Sequence, residues 1–196
     1  MIDTAKASLV DEVIRDRRST KPAAMNGRSI SRNDLEAVLE AADWAPTHAY
    51  TEPWLFLVYE GEKAREFCLA HADKYRAVTP PEKFTAATYD KLATMADKVS
   101  HLVVAVMQRG DNPKIPVLEE VAATAAAVQN LLLSATARGI ASFWSTGGLT
   151  LQPAMKELLG LGEQDHVLGQ LYLGYTEEEW PVGKRLRPRS AKFVWK

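Results

Sequence analysis

The sequence predicts one layered domain of mixed helices and strands, in the α/β or α+β class. Helical periodicity alternates with short apolar runs over all 196 residues, and no repeat, low-complexity tract or linker interrupts the pattern. At least four of these runs are apolar enough to be buried on both faces of a sheet, which requires helices on both sides. A chain of this length can bury a substantial core, so the domain is expected to cover residues 1–196.

Helix boundaries follow from capping residues, prolines and glycines. Ser31 and Asp34 form the pattern of a capping box ahead of apolar residues spaced three and four apart. Thr79, followed directly by two prolines, predicts the start of another helix, because proline is accepted in a first turn. Gly139 is the expected C-terminal cap of the longest helix. The predicted helices are, in order, 8–18, 31–44, 61–75, one beginning at Thr79, 117–139 and 151–160.

Apolar runs of strand length separate these helices. The chain after the last run is broken by prolines and rich in charge until a final FVW, so it is expected to be an extended tail. The predicted strands are 54–59, 101–108, 140–144 and 166–175.

The longest helix is unusually poor in charge. Val121, Ala125, Val128 and Leu132 form a stripe that is expected to face a core. The rest of its circumference also carries few charges, and its alanines permit close backbone approach. We therefore expect a second covered face, which a two-fold interface with another copy of the chain would bury.

Charge and cysteine content exclude several classes of protein. The chain has 24 basic and 25 acidic residues, so no overall field attracts nucleic acid or an anionic membrane. Cys68 is the single cysteine, which excludes an intrachain disulfide, and its helical surroundings predict an inert thiol. The N-terminal segment lacks the apolar core of a signal peptide, and no run is long enough to span a membrane. A cytoplasmic enzyme or binding protein is expected.

Three segments carry residues suited to binding a ligand. Arg17 and Arg18 end the first helix just before Ser19; they either complement the helix dipole or clamp a phosphate or carboxylate. The loop WAPTHAYTEPW, residues 44–54, is either a wall of rings for a flat ligand or a turn flanked by core aromatics. The segment FWSTGG, residues 143–148, lets backbone approach a ligand closely.

Other catalytic motifs are absent from the sequence. It contains no GxGxxG or GxxxxGK[ST] loop, no HExxH and no GxSxG. Its four histidines are scattered without metal-binding spacing. Hydrolysis by a metal or by a serine triad therefore has no support, and no metal is expected.

In their order and spacing, three motifs resemble the nitroreductase family. They are RRS after an N-terminal helix, APTHAYTEPW before the first core strand and GIASFWSTGGLT before a short helix. The chain is most similar to the small branch of the family, whose loops have the forms APxHxxxxPW and WxSG. The alanine-rich helix and the tail GYTEEEWPVGKRLRP also fit, so the resemblance covers essentially the whole chain.

The resemblance implies an α+β fold, a three-layer α/β/α sandwich around a mixed central sheet. It implies FMN bound at the interface of a homodimer, NADH or NADPH as electron donor, and a small-molecule electron acceptor. The tail, about residues 175–196, is expected to pack on the partner subunit.

The cofactor-binding positions implied by the resemblance all lie within the segments that carry it. No catalytic acid or base is implied, because the flavin carries the chemistry. The phosphate and ribityl chain would contact Arg17, Arg18 and Ser19, and the phosphate would gain a further cation from Arg187. The isoalloxazine ring would lie along Trp144, Ser145 and Thr146. The partner's cofactor would contact Trp44 and His48.

Three positions depart from the family pattern. Tyr50 stands where the family usually has Asn, and Glu52 where it has Gln; an ionised acid close to a flavin would disfavour the anionic reduced form. Ser145 replaces an Arg of the related branch, which removes a contact to pyridine-nucleotide phosphate or substrate. These departures concern the acceptor and the choice of NADH or NADPH more than FMN binding.

The expected activity is NAD(P)H-dependent reduction of a nitroaromatic, quinone or activated alkene by alternating half-reactions. Two alternatives stay open at this point. One is a specialised reductase of the same superfamily, such as a dehalogenase or enone reductase, which would need a lid. The other is a flavin-binding protein with little turnover.

Overall fold

A four-stranded antiparallel sheet forms the middle layer of the structure. The structure is a computed structural model, and it describes residues 4–196. The strand order is β1-β2-β4-β3, so β1 and β3 are the two edge strands. The strands are β1 Trp54–Glu60, β2 His101–Met107, β3 Ala141–Ser145 and β4 His166–Gly174.

Helices cover both faces of this sheet. Helices α2 and α5 pack together on one face, with α1 against α5, while α3 and α6 cover the other face and α4 packs on α3. Short 3-10 turns lie at Pro22–Ala24, His48–Tyr50 and Arg189–Ala191. The helices are α1 Thr4–Asp16, α2 Arg32–Asp43, α3 Gly61–Val78, α4 Ala86–Ala93, α5 Val117–Ala137 and α6 Pro153–Leu159.

Strand β2 explains why helices are needed on both sides. All of its residues are buried. Successive side chains of a strand point to opposite faces, and accordingly Val103 and Ala105 enter the core under α2 and α5. Leu102, Val104 and Val106 enter the core under α3 and α6. The run HLVVAV therefore contributes alternate side chains to two cores, one on each face of the sheet.

The predicted α+β class and three-layer arrangement are confirmed, but the predicted mixed sheet is wrong for the described chain. All three strand pairings among residues 4–196 are antiparallel. The physical reason lies in the connections. Those from β1 to β2 and from β3 to β4 join neighbouring strands that run in opposite directions, whereas α5 carries the chain from β2 to the far edge strand β3, and β4 then returns between the two, antiparallel to both. A parallel strand would have to come from another chain.

Most predicted boundaries agree with the structure, including the Ser31 cap. Its hydroxyl accepts the N–H of Asp34 at 3.1 Å, as a capping box requires. The helix predicted at Thr79 is wrong. Residues 80–84 form a turn in which Lys83 N–H donates to Pro80 O at 2.9 Å, and α4 begins only after Thr85, whose hydroxyl accepts from Thr88 N–H.

Helix α5 is buried along a face rotated from the predicted stripe. Val128 and Leu132 are buried as predicted, whereas Val121 and Ala125 are only half-buried. The buried face instead includes Ala123, Ala127 and Leu131. Its small side chains permit close approach of the helix backbone to its neighbours. No helix within residues 4–196 is both long and apolar enough to cross a membrane.

A buried ion pair fixes the start of α5. Glu120 is 1% exposed and accepts from the Arg109 guanidinium, whose side chain is 13% exposed. Arg109 also donates to the Ile115 carbonyl at 2.9 Å, and Glu120 accepts the N–H of Gly110 at 3.3 Å. These contacts tie the loop after β2 to the first turn of α5.

Glu120→Gln is expected to lower the free energy of unfolding by about 3–5 kcal/mol, the usual loss when one partner of a buried pair is removed and the other charge stays buried. Urea unfolding at fixed protein concentration measures it. Glu36→Gln is the matched control, because Glu36 belongs to the exposed pair with Arg32 and is expected to change stability little. Equal losses in the two variants would contradict the assignment.

Candidate active site

The predicted site residues fall into two groups at opposite edges of the sheet. One group lies along the edge strand β3, and the other lies on the loop before β1. Because two strands separate β1 from β3, the edges are about 14 Å apart at the usual strand spacing. The β3-edge group comprises Arg17, Arg18, Ser19, Trp144, Ser145 and Thr146, and the β1-loop group comprises Trp44 and His48.

A backbone hydrogen bond holds the arginine segment against β3. Thr20 N–H donates to the Ser142 carbonyl at 2.8 Å, directly after the predicted phosphate-binding residues. Arg17 is half-buried, and its guanidinium makes no hydrogen bond or ion pair within the described chain. Arg18 differs, since its guanidinium donates to the carbonyls of Arg15 and Pro181 at 2.5 and 2.6 Å. Arg17 is thus available to an anion, whereas Arg18 ties α1 to the tail.

The Trp144 side chain is engaged within the sheet. Its indole N–H donates to the Leu168 carbonyl at 3.0 Å, and the ring packs against the core on the α2 and α5 side. It lies across Gly169, where a Cβ atom would be 2.0 Å from the indole nitrogen. The backbone of Trp144 lies on the same side of β3 as the Ser142 carbonyl, because polar groups two residues apart share a strand edge. The open edge therefore offers backbone groups.

The turn after β3 is held by buried residues on its inner side and is exposed to solvent on its outer side. Thr150 donates through Oγ1 to the Gly147 carbonyl at 2.6 Å, and both Leu149 and Thr150 are buried. Thr146, Gly147 and Gly148 are exposed. The N–H groups of Thr146 and Gly148 have no hydrogen-bond partner within residues 4–196. Backbone donors of this kind suit a ligand with acceptor atoms on a flat rim.

A cavity of about 350 Å³ beside this edge was missed by the sequence analysis. Its floor includes Phe143 of β3, and its rim carries three lysines, Lys21, Lys91 and Lys98. None of the three forms an ion pair in the described chain, although Asp97 also lines the cavity. We call it the lysine cavity. Lys21 follows RRST directly and could have been suspected from the sequence; the other two come from a distant segment and had no local signal.

The β1-loop group is held at the other end of the molecule. His48 Nδ1 contacts Glu119 Oε2 at 2.5 Å, beside the first turn of α5. Trp44 is 81% exposed, so it is not a core residue flanking a turn. Trp54, by contrast, packs partly into the core, and its indole donates to Asp43 at 2.9 Å. The loop therefore displays one tryptophan and buries part of the other.

Arg187 has no hydrogen bond or ion pair, among those of residues 4–196, to a residue of either group. It is exposed on the tail and donates to the Ala191 carbonyl at 3.3 Å. Its assignment to a phosphate stays a prediction.

Ser100, His101 and Glu60 are hydrogen-bonded in the sequence Ser–His–acid that a catalytic triad has, but they lack its accessibility. Ser100 Oγ lies 2.8 Å from His101 Nδ1, and His101 Nε2 lies 3.2 Å from Glu60. Both Ser100 and His101 are buried, and Ser100 Oγ already accepts the N–H of Ile30 at 2.7 Å. A nucleophile must be reachable by its substrate, so this set positions the start of α2. No three His, Cys, Asp or Glu side chains within residues 4–196 are placed to hold a metal.

Another cavity, of about 940 Å³, lies between α1, the end of α5 and the tail, and Arg18 is among its lining residues. Glu12 and Asp16 also line it and outnumber that one cation, which disfavours an anionic ligand. Its other walls include Leu9, Trp180 and Val182. The β3 edge is chemically the better site, because the Arg17 guanidinium makes no hydrogen bond or ion pair within residues 4–196 and the N–H groups of Thr146 and Gly148 are free there.

The family profile of the nitroreductases matches residues 14–175, which is most of the chain. The chain belongs to the nitroreductase family. It is 30% identical over 158 residues to YdjA of Escherichia coli K12, provisionally named an NAD(P)H nitroreductase, with 76% of this chain and 84% of YdjA covered. In this nitroreductase-family chain the β3 edge carries Arg17, and the β1 loop exposes the rings of Trp44 and Tyr50.

Solved structures show the same architecture. A nitroreductase-like family protein from Bacillus cereus superposes with a TM-score of 0.77 at 27% identity, covering 95% of both chains. A nitroreductase with bound FMN from Bacteroides fragilis superposes with a TM-score of 0.66 at 24% identity, covering 95% of this chain and 98% of that one. The second likeness concerns the fold alone.

Gly169→Ala is expected to push the Trp144 indole off β4 and to break its hydrogen bond to Leu168. Overpacking of this kind usually costs about 1–3 kcal/mol, measured by urea unfolding and by a red shift of tryptophan emission. Gly174→Ala in the same strand is the control, since a Cβ there meets mainly the flexible Met25 side chain. An unshifted emission spectrum with full stability would show that Trp144 does not depend on Gly169.

Proposed function

We propose that this nitroreductase-family protein is an FMN-dependent NAD(P)H oxidoreductase that reduces small acceptors, such as nitroaromatics or quinones, by alternating half-reactions. The observation that carries the proposal is the β3 edge, where unpaired cations lie beside free backbone donors. FMN has a phosphate at one end and a flat ring with a polar rim at the other. Those two chemistries match the two ends of this edge.

The residues present fit FMN. Arg17 and Ser19 would hold the phosphate and ribityl chain, because the guanidinium is unpaired and its planar fork suits phosphate. The free N–H groups of Thr146 and Gly148 would bind polar atoms on the rim of the ring. From Ser142 to Ser145 the strand extends about 10 Å, a separation that an extended FMN spans.

The lysine cavity would supply electrostatic support. When bound, FMN would accept a hydride from NAD(P)H and pass the electrons to an acceptor in the same place. Lys21, Lys91 and Lys98 line this cavity with one acid, Asp97, so its net charge is positive. Fixed cations favour a bound group whose negative charge increases on reduction. This chain's residues thus bind, orient and stabilise charge, without a protein acid or base.

The β1-loop group would serve the flavin site of a partner subunit. His48 contacts Glu119 at the start of α5, whereas Arg18 lines a cavity with Thr136 near its end. From Glu119 to Thr136 the helix rises about 25 Å, so one subunit's loop cannot reach its own arginine segment. A two-fold axis that sets two copies of α5 antiparallel would bring the loop of one to the β3 edge of the other.

Exposed apolar residues support this homodimer. Leu9, Val10 and Ile14 on α1 are between 48% and 61% exposed. On the tail, Val194 and Trp195 are 80% and 93% exposed. Surfaces of this kind usually mark an interface. We propose that the tail packs on the partner, where its final residues would add a strand parallel to its neighbour. The sheet of one chain contains no such parallel pairing.

The purified protein is expected to be yellow, to release FMN on denaturation, and to bleach rapidly when mixed anaerobically with NADPH or NADH in a stopped-flow instrument. Reoxidation by a nitroaromatic or quinone should restore the colour. A protein that binds FMN but does not bleach with either nucleotide would be a flavin-binding protein with little turnover. A colourless protein that does not take up added FMN would exclude both functions.

Mixed dimers test the composite site. Arg17→Ala is expected to weaken FMN binding about ten- to a hundred-fold, since a hydrogen bond to a charged group contributes about 1.5–3 kcal/mol. Trp44→Ala should also weaken binding by removing the ring wall. A heterodimer of the two variants has two sites, each built from both subunits. One site combines the unchanged Arg17 with the unchanged Trp44, and the other combines both substitutions.

Half of the sites in that heterodimer should therefore bind FMN with wild-type affinity, as measured by fluorescence titration of differently tagged, co-expressed chains. Arg15→Ala is the control, because Arg15 is exposed on the same helix. If no site regains wild-type affinity, Arg17 and Trp44 do not contribute to one site across the interface.

A further inference from the structure

A buried polar network lies directly beneath the turn that follows β3. His71 of α3 is 1% exposed, and its Nε2 accepts the N–H of Leu149 at 2.9 Å. Its Nδ1 lies 3.2 Å from the Gln170 carboxamide, which also hydrogen-bonds Thr150 Oγ1 at 2.9 Å. The carboxamide oxygen of Gln170 accepts a hydrogen bond from the Tyr172 hydroxyl at 2.6 Å. Two side chains from different layers, His71 and Gln170, thus converge on one short turn.

This network determines how far the turn stands above the sheet. Gly148 has a φ of +62° and lies so close to the imidazole that a Cβ there would be 2.6 Å from Nε2. Thr150 closes the turn by donating to the Gly147 carbonyl. The inward polar groups of the turn are therefore occupied by buried partners, whereas the N–H groups of Thr146 and Gly148 are left free on the outer side.

The imidazole is suited to this role because it is neutral. Burial lowers the pKa of His71 to about 4, so the ring is uncharged near neutral pH. A neutral ring that accepts at Nε2 carries its proton on Nδ1. The Gln170 nitrogen that lies 3.2 Å from Nδ1 is itself a donor, so the N–H of Leu149 is the contact that selects this tautomer. Nothing in the proposed reaction uses His71 as an acid or base, and solvent does not reach it.

We propose that His71 is a positioning residue of the flavin site, whose Nε2 acceptor fixes the backbone of residues 146–149 and so aims the free amides of the turn at the flavin ring. This inference rests on the proposed function, since it assigns the turn's outer face to bound FMN. His71 would touch neither flavin nor acceptor and would act through Leu149.

A matched pair of substitutions separates the two contacts of His71. His71→Gln places an amide group near the position of Nε2 and can accept from Leu149. His71→Asn places one near the position of Nδ1, retains the contact with Gln170 and is too short to reach Leu149. Both variants remain polar and smaller than histidine, so a role in filling space would affect both, and the shorter Asn only somewhat more.

The expected result is a clear separation between the variants. Rapid reduction of the FMN-loaded protein by NADPH should slow about ten- to a hundred-fold in His71→Asn, the scale of a misplacement near 1 Å, and stay close to wild type in His71→Gln. The visible circular dichroism of the bound flavin should change in Asn alone. In the flavin-free protein, the Leu149 amide should exchange with deuterium faster in Asn than in Gln.

Val106→Ala is the stability control, because Val106 is buried in the same core and pairs across the sheet with Val167 rather than with Gln170. It should lower stability without changing the flavin spectrum. Equal reduction rates, equal spectra and equal Leu149 exchange in the Gln and Asn variants would overturn the inference, as would a Val106→Ala variant that reproduces the Asn phenotype. A wild-type protein that neither binds FMN nor bleaches would instead overturn the proposed function, and the exchange measurement would still test the Leu149 contact.

Discussion

The burial of β2 on both faces is the constraint from which the rest of this architecture follows. Every residue of the strand is buried, and its side chains alternate between two cores. Each fully buried Val or Leu side chain contributes about 1.5–3 kcal/mol relative to exposure. Helices must therefore cover both faces, which leaves only the sheet edges and the loops at strand ends for a ligand. The candidate site lies at such an edge because the centre of the sheet has no accessible surface.

Buried polar side chains perform a different task in this fold. Each of the networks around Glu120, Ser100 and His71 ties a loop to the sheet or to a helix. No buried side-chain nitrogen or oxygen of the described residues lacks a hydrogen-bond partner. Burying such groups without partners is costly, so each network specifies one loop position. Apolar packing holds the layers together, while polar contacts fix the segments that carry the chemistry.

Features set by neighbouring residues were predictable from the sequence, and features set across the fold were not. The Ser31 cap and the strands depend on local patterns and agree with the structure. The helix start at Thr79 failed because the two prolines that suit a first turn equally suit an isolated turn. The lysine cavity joins Lys21 to Lys91 from distant segments, and the Trp144 indole turns into the sheet through Gly169. No local signal encodes such contacts.

The β1 loop holds three residues other than glycine in the left-handed region of backbone conformation. Ala49, Tyr50 and Glu52 have φ values of +51°, +55° and +43°, and such conformations cost about 1–3 kcal/mol each. The Thr47 hydroxyl helps to hold them by accepting the N–H of Glu52 at 3.1 Å. Tyr50 is nevertheless 89% exposed. In the proposed homodimer a partner subunit would cover this ring, and Tyr50 and Glu52 would then lie near the partner's flavin rather than their own. The departure at Glu52 would accordingly affect the reduced flavin only in the assembled dimer.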